Sequence, residues 1–153
     1  YFKKNISGAT KAGIKVGLYF FTQAVNEAEA VEEASMAMSL ASGYKVTYPI
    51  FIDTESASNG RANGLSKSAR TAVVKAFCQT IRNGGYKAGV YASKSWYANQ
   101  LNASALNGYC IWVAQYNSSC TYSGKYDMWQ YSSKGSVSGI KGNVDMNISY
   151  TGY

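Results

Sequence analysis

Along the chain, short apolar runs with polar borders alternate with longer stretches in which hydrophobic residues recur every three or four positions. Residues 1–13 carry Phe2, Ile6 and Ala9 at helical spacing and end on Gly13, which predicts a helix. Ile14–Phe21 is dense in apolar residues and predicts a strand. Asn26, with Glu29 three residues on, has the form of a capping box. It opens a helix through Ala30, Val31, Ala34, Met38 and Leu40 to Gly43. Tyr48–Glu55 reads as a buried parallel strand: Ile50, Phe51 and Ile52 stand behind Pro49, which has no N–H to donate and suits a first strand position. A polar loop over Ser56–Gly64 leads to a helix over Ser66–Asn83, with its stripe at Ala69, Val73, Ala76, Phe77 and Ile81 and a stop at Gly84-Gly85. Lys87–Ser93 is a short strand, Ser95–Leu106 weakly helical, and Tyr109–Tyr116 another strand. Past a turn-rich Asn117–Lys125, strands follow at Asp127–Ser132 and Asn143–Ser149.

Strand and helix alternate through the first two-thirds, which argues for parallel β-α units; the last third is strands joined by short turns. A β/α barrel whose last strands lack full helices fits this order. Such barrels carry their chemistry at the carboxyl ends of the strands. Tyr48–Glu55 ends there in two acids, Asp53 and Glu55, which lie two apart on one side of a strand at about 6.6 Å. Burial and mutual repulsion raise the pKa of one member of such a pair. An isolated D-x-E more often faces solvent, so the weight lies in what surrounds it. Aromatic and polar residues recur at the other strand ends: Tyr19, Tyr91, Tyr116, Trp129 and Asp145. Acids ringed by aromatic faces suit a carbohydrate, although each ring taken singly is more often core.

Composition narrows the chemistry. The 153 residues make one domain and contain no histidine, which removes Ser-His-Asp, Cys-His and His-ligated zinc chemistry together. Of eight carboxylates, Glu27, Glu29, Glu32 and Glu33 crowd into one helix and read as its solvated face. Asp53, Glu55, Asp127 and Asp145 remain as acid–base candidates. The net charge of +7 points to an anionic partner such as a cell wall. The Lys and Arg residues are scattered and form no nucleic-acid recognition motif, and no run is long enough to insert in a membrane. Cys78, near a helix stripe, reads as buried filler; Cys110 and Cys120 are candidates for a bridge should the chain work outside a cell.

In their order, the segments A-x-x-A-G-I-K-V-G-L-Y-F-F (Ala9–Phe21), P-I-F-I-D-T-E (Pro49–Glu55), G-V-Y-A-S (Gly89–Ser93), W-V-A-Q-Y (Trp112–Tyr116), D-M-W-Q-Y-S (Asp127–Ser132) and G-I-K-G-N-V-D-M-N (Gly139–Asn147) resemble the glycoside hydrolase family 25 lysozymes, the Chalaropsis-type N-acetylmuramidases. The resemblance covers nearly the whole chain. It implies cleavage of the β-1,4 bond between N-acetylmuramic acid and N-acetylglucosamine in bacterial peptidoglycan, without metal or cofactor. It implies Glu55 as general acid/base, with Asp53 and Asp145 around the cleaved sugar, and sugar contacts from Tyr19, Tyr91, Trp112, Tyr116 and Trp129. It also implies retention through the substrate's own acetamido group, whereas the Asp53–Glu55 spacing alone leaves inverting and retaining geometries open. Action outside the cell, at the wall, or as a phage lysin released at lysis follows from the same resemblance.

The family opens with a G-x-D-v-S strand and a second β-α unit that this sequence does not show. The resemblance therefore predicts an α/β fold of the family's (β/α) barrel type, incomplete at the N-terminus with its first two strands absent. It also predicts an open edge at Ile14–Phe21 that invites a homodimer. Phe20 stands where many members carry His. A non-catalytic peptidoglycan-binding domain on a disabled scaffold is the alternative reading.

Overall fold

The computed structural model describes residues 1–153. Helix α1 (Phe2–Lys11) precedes strand β1 (Leu18–Phe21), and α2 (Glu27–Ala41) precedes β2 (Ile50–Asp53). Helix α3 (Lys67–Asn83), β3 (Ala88–Ser93), the short α4 (Lys94–Asn99) and β4 (Cys110–Ala114) continue the alternation. Strands β5 (Met128–Gly135) and β6 (Val144–Ser149) end it as an antiparallel pair. The six strands lie in sequence order, β1 to β5 all parallel, and the sheet curls without closing, so β1 and β6 are its free edges. No helix is long and apolar enough to cross a membrane.

Side chains alternate across a strand, and here the two faces differ in kind. Ile50, Ile52, Val90, Ala92, Ile111 and Val113 enter the core with Val73, Val74, Phe77 and Ile81 of α3. Helix α2 packs through Ala30, Ala34, Ala37 and Ala41, with Met38 against the core; of the predicted stripe Ala30, Ala34 and Met38 face inward, and Val31 and Leu40 are exposed. Alanine brings the α2 backbone close to its neighbours, and Val31, Met36 and Leu40 turn outward. Cys78 is fully buried among these residues, as expected. Cys110 and Cys120 are unbridged, and the Cys110 thiol lies 2.8 Å from the Tyr153 hydroxyl.

Strand β1 is shorter than the predicted Ile14–Phe21. Pro49 cannot donate, so the β1–β2 ladder starts with Leu18 N–H donating to the Pro49 carbonyl. Upstream, a side chain at Gly17 would run into Tyr48, with Cβ only 2.7 Å from the Tyr48 Cβ. The Asn26 cap holds, its side chain accepting from Glu29 N–H at 2.9 Å; the return bond from Glu29 takes Val25 N–H at 3.0 Å.

The α2 acids are not simply a solvated face. Glu33 accepts from the Thr22 hydroxyl at 2.6 Å and from Gln23 N–H at 3.0 Å, closing the turn after β1. Glu29 pairs with Arg61 at 2.9 Å, and Gln23 accepts from Arg61 N–H, so the loop after β2 is tied to the loop after β1. Glu33→Ala is expected to cost about 1.5–3 kcal/mol in denaturant unfolding, as for charge-assisted hydrogen bonds, while Glu32→Ala stays within about 0.5 kcal/mol. Equal effects at the two positions would contradict this role for Glu33.

Candidate active site

The concave face of the sheet carries the chemistry. Alternation places Tyr19 of β1, Phe51 and Asp53 of β2, Tyr91 of β3, Trp112 of β4 and Gln130 of β5 on that face. Gly89, opposite Phe51 in the register, has no side chain, and its absence lets the Phe51 ring lie flat there; a Cβ would meet that ring at 2.3 Å. Phe51 in turn packs edge-on against Trp112 at 5.0 Å, and Trp112 against Tyr91 at 4.8 Å. The Tyr91 and Trp112 rings, the latter backed by Phe51, line a cavity of about 220 Å³ at the carboxyl ends of the parallel strands. Its lining is Tyr19, Asp53, Glu55, Tyr91, Trp112, Tyr116, Gln130 and Asp145. Four larger cavities lie elsewhere: those against β1 and α1 and at the other end of the concave face contain no acid, and the other two contain one each, Glu27 and Asp127.

Seven of the eight residues expected from the sequence thus meet in one cleft. Trp129 does not. Gln130 faces the cleft, so its neighbour must face away; Trp129 is buried on the opposite side, its indole N–H donating to the Gln115 carbonyl at 2.8 Å. Asp127 also leaves the candidate list: its carboxylate accepts from Ile111 N–H at 2.9 Å and pairs with Lys125 at 3.3 Å, away from the cleft. Gln130 was not singled out, although it stands in the same W-Q-Y segment; strand parity at Trp129 was the signal that finds it.

The three acids differ in surroundings. Asp53 is buried, its Oδ1 has no hydrogen-bond partner, and burial first, then the Glu55 charge, push its pKa up to about 7. Glu55 is exposed at the mouth, and its pKa is also raised, by burial of its carboxyl first and by the Asp145 charge second. Asp53 and Glu55 thus repel one another, as their spacing in the sequence suggests, and Asp145, brought across from β6, adds a third charge that acts on Glu55. Tyr91 and Tyr116 both donate their hydroxyls to Gln130 Oε1, at 2.8 and 2.9 Å, and Trp112 Nε1 donates to Asn147 Oδ1 at 2.9 Å. Burial above all holds the Tyr91 hydroxyl far above its ordinary pKa, so it keeps its proton. No three His, Cys, Asp or Glu side chains come together in an arrangement that could hold a metal ion.

A parallel half-barrel with paired carboxylates and aromatic rings at its strand ends is the framework of a carboxylate glycosidase. The chain belongs to the family described as glycosyl hydrolases family 25, whose pattern matches residues 1–140. It is similar to the autolytic lysozyme of Clostridium acetobutylicum, 29% identical over 147 residues that cover 95% of this chain and 43% of that protein. In structure it is similar to a family 25 glycosyl hydrolase from Bacillus anthracis, with a TM-score of 0.82, 26% identity, and coverage of 99% of this chain and 71% of the other. It is also similar to the modular autolysin LytC from Streptococcus pneumoniae, solved in complex with a synthetic peptidoglycan ligand, with a TM-score of 0.81, 26% identity, and coverage of 94% and 36%. The chain thus spans less than half the length of the curated relative.

The unpaired Asp53 carboxyl has a consequence for stability. In the unfolded chain it ionises near 3.8, and in the fold near 7, so between these values folding takes up a proton. Stability therefore falls as pH rises across that window. Asp53→Asn is expected to remove this fall and to gain about 1–3 kcal/mol at about pH 7.5 relative to about pH 4, after allowance for solvent screening. Denaturant melts of both proteins at the two pH values check it; parallel pH dependences would contradict the buried, unpaired state of Asp53.

Proposed function

We propose that the chain hydrolyses the β-1,4 bond between N-acetylmuramic acid and N-acetylglucosamine in bacterial peptidoglycan, acting at the cell wall. The observation that carries this reading is the convergence of Asp53, Glu55 and Asp145 from two strand ends into one aromatic-walled cleft. The names of the relatives, an autolytic lysozyme and an autolysin with a peptidoglycan ligand, point the same way.

Glu55 is the general acid/base. It is the acid at the mouth of the cleft, within reach of a glycosidic oxygen, and its raised pKa favours holding a proton to deliver. Proton transfer from Glu55 to the leaving oxygen accompanies breakage of the C1–O bond. The acetamido oxygen of the same sugar closes on C1, and the resulting cation is steadied by Asp53 below it. Water, giving its proton back to Glu55, then opens that ring with net retention. Tyr19, Trp112 and Tyr116 supply ring faces for the sugars, and Asp145 tunes Glu55 by its charge.

Release of new reducing ends from purified peptidoglycan by the wild-type chain and by Glu55→Gln tests this role. Loss of about 10²–10⁴-fold in kcat is expected in the variant. Equal release by both, or none by the wild type while it still binds the wall, would contradict it.

The edge at β1 supports a proposal about assembly. Leu18 and Thr22 N–H donate toward β2, so by strand alternation Tyr19 and Phe21 turn their backbone groups to the free side. Beside that edge an apolar groove of about 520 Å³ is lined by Phe2, Ile6, Val16, Leu18, Phe20 and Leu40. We propose that a second copy of the chain covers this edge. Light scattering is expected to give a dimer; a monomer at every concentration would contradict it.

A further inference from the structure

Hydrogen-bonding capacity in the cleft is unevenly spent. The indole N–H of Trp112 is committed to Asn147, and the hydroxyl protons of Tyr91 and Tyr116 are both committed to Gln130 Oε1. An amide oxygen has two lone pairs, so the two tyrosine hydroxyls that donate to it saturate the carbonyl end of Gln130 and leave the NH₂ end free. The NH₂ end, with two donors, has no partner within the chain, although the side chain is only 4% exposed and lines the cavity. Asp53, Glu55 and Asp145 are acceptors whenever ionised. Asp53 and Glu55 donate only while they hold a proton, so apart from the exposed Tyr19 hydroxyl the Gln130 NH₂ is the one donor the cleft offers a ligand at any pH.

We infer that the Gln130 NH₂ receives the carbonyl oxygen of an acetamido group on the bound sugar, making Gln130 a specificity-determining residue for N-acetylated over unsubstituted β-1,4 glycans. The inference rests on the reading of the cleft as a carbohydrate site. Sugar hydroxyls donate as well as accept, so they can be satisfied on the carboxylates. An acetamido carbonyl only accepts, and it needs a donor, which the acids supply only while they hold a proton. A site built around such a donor discriminates against a ligand that lacks the matching acceptor, because the buried donor is then left unpaired.

Binding of chitotetraose and cellotetraose tests this directly. Both are neutral and share the β-1,4 linkage, and they differ at C2 in acetamido against hydroxyl. Affinities are read by tryptophan fluorescence and calorimetry for the wild type, Gln130→Glu and Gln130→Met. Gln130→Glu keeps an acceptor for both tyrosines and exchanges the NH₂ for a carboxyl, read at about pH 8 where the carboxyl is ionised and cannot donate; Gln130→Met removes both ends without adding charge.

The wild type is expected to prefer chitotetraose by about tenfold, and each variant to lose about three- to tenfold on chitotetraose alone. Cellotetraose affinity stays within about twofold. Equal losses on both sugars would mean that Gln130 only braces the tyrosines, and would overturn the inference. So would an unchanged preference, or failure of the wild type to bind either sugar. Because binding needs no turnover, a wild-type chain that binds chitotetraose selectively but releases no reducing ends would contradict the proposed hydrolysis and leave this inference standing.

Discussion

Everything in this molecule depends on the pleat of the parallel sheet, which gives each strand residue one of two opposite environments. On one face Ile50, Ile52, Val90, Ala92, Ile111 and Val113 are sealed under the helices. On the other, Asp53, Tyr91, Trp112 and Gln130 share a cleft. The register that aligns Asp53 with Tyr91 and Tyr91 with Trp112 serves both faces at once. A slip of one residue would drive the acids into the helical layer and the isoleucines into water. The hydrophobic energy of the helical face therefore holds the active face in place, including groups that would not stay there unaided.

Asp53 is such a group. Its buried Oδ1 has no partner, and its proton stays on until about pH 7. An unpaired buried carboxyl is destabilising, and cost of this kind is commonly found where a ligand completes the site. Around it the supports are strong. Gly89 lets Phe51 lie under Trp112, two tyrosines pin Gln130, and Glu33 and the Glu29–Arg61 pair fasten the loops beyond β1 and β2. Positioning of this kind is what general acid catalysis requires of Glu55 at the mouth.

Much of this was legible in the sequence, for identifiable reasons. Helix α3 is legible from its stripe and its Gly84-Gly85 stop, and β2 from a run of three apolar residues behind a proline. The acids were found by elimination, since a chain without histidine and with few carboxylates leaves few choices. What escaped were matters of parity and partnership. Trp129 and Gln130 are neighbours, and only the strand's phase says which enters the cleft. The α2 stripe holds at Ala30, Ala34 and Met38 and fails at Val31 and Leu40, because large residues outweigh alanines such as Ala37 and Ala41 in a hydrophobic pattern while close packing selects the alanines. Glu33 looked like solvated charge because its partners, Thr22 and Gln23, lie across a turn that sequence spacing does not reveal. Asp145 is a candidate from elimination and from its place on a strand, but only the resemblance sets it beside Asp53 and Glu55, since β6 returns antiparallel and local pattern says nothing of where it lands.

The most direct test of the central claim is the identity of the sugar end that the chain creates. Purified peptidoglycan would be digested, reduced with borohydride, and its fragments resolved by mass spectrometry. Muramitol at the new ends, appearing with wild-type protein above an undigested control, is the result expected of cleavage after N-acetylmuramic acid. Glucosaminitol at those ends, or no new ends at all, would contradict it.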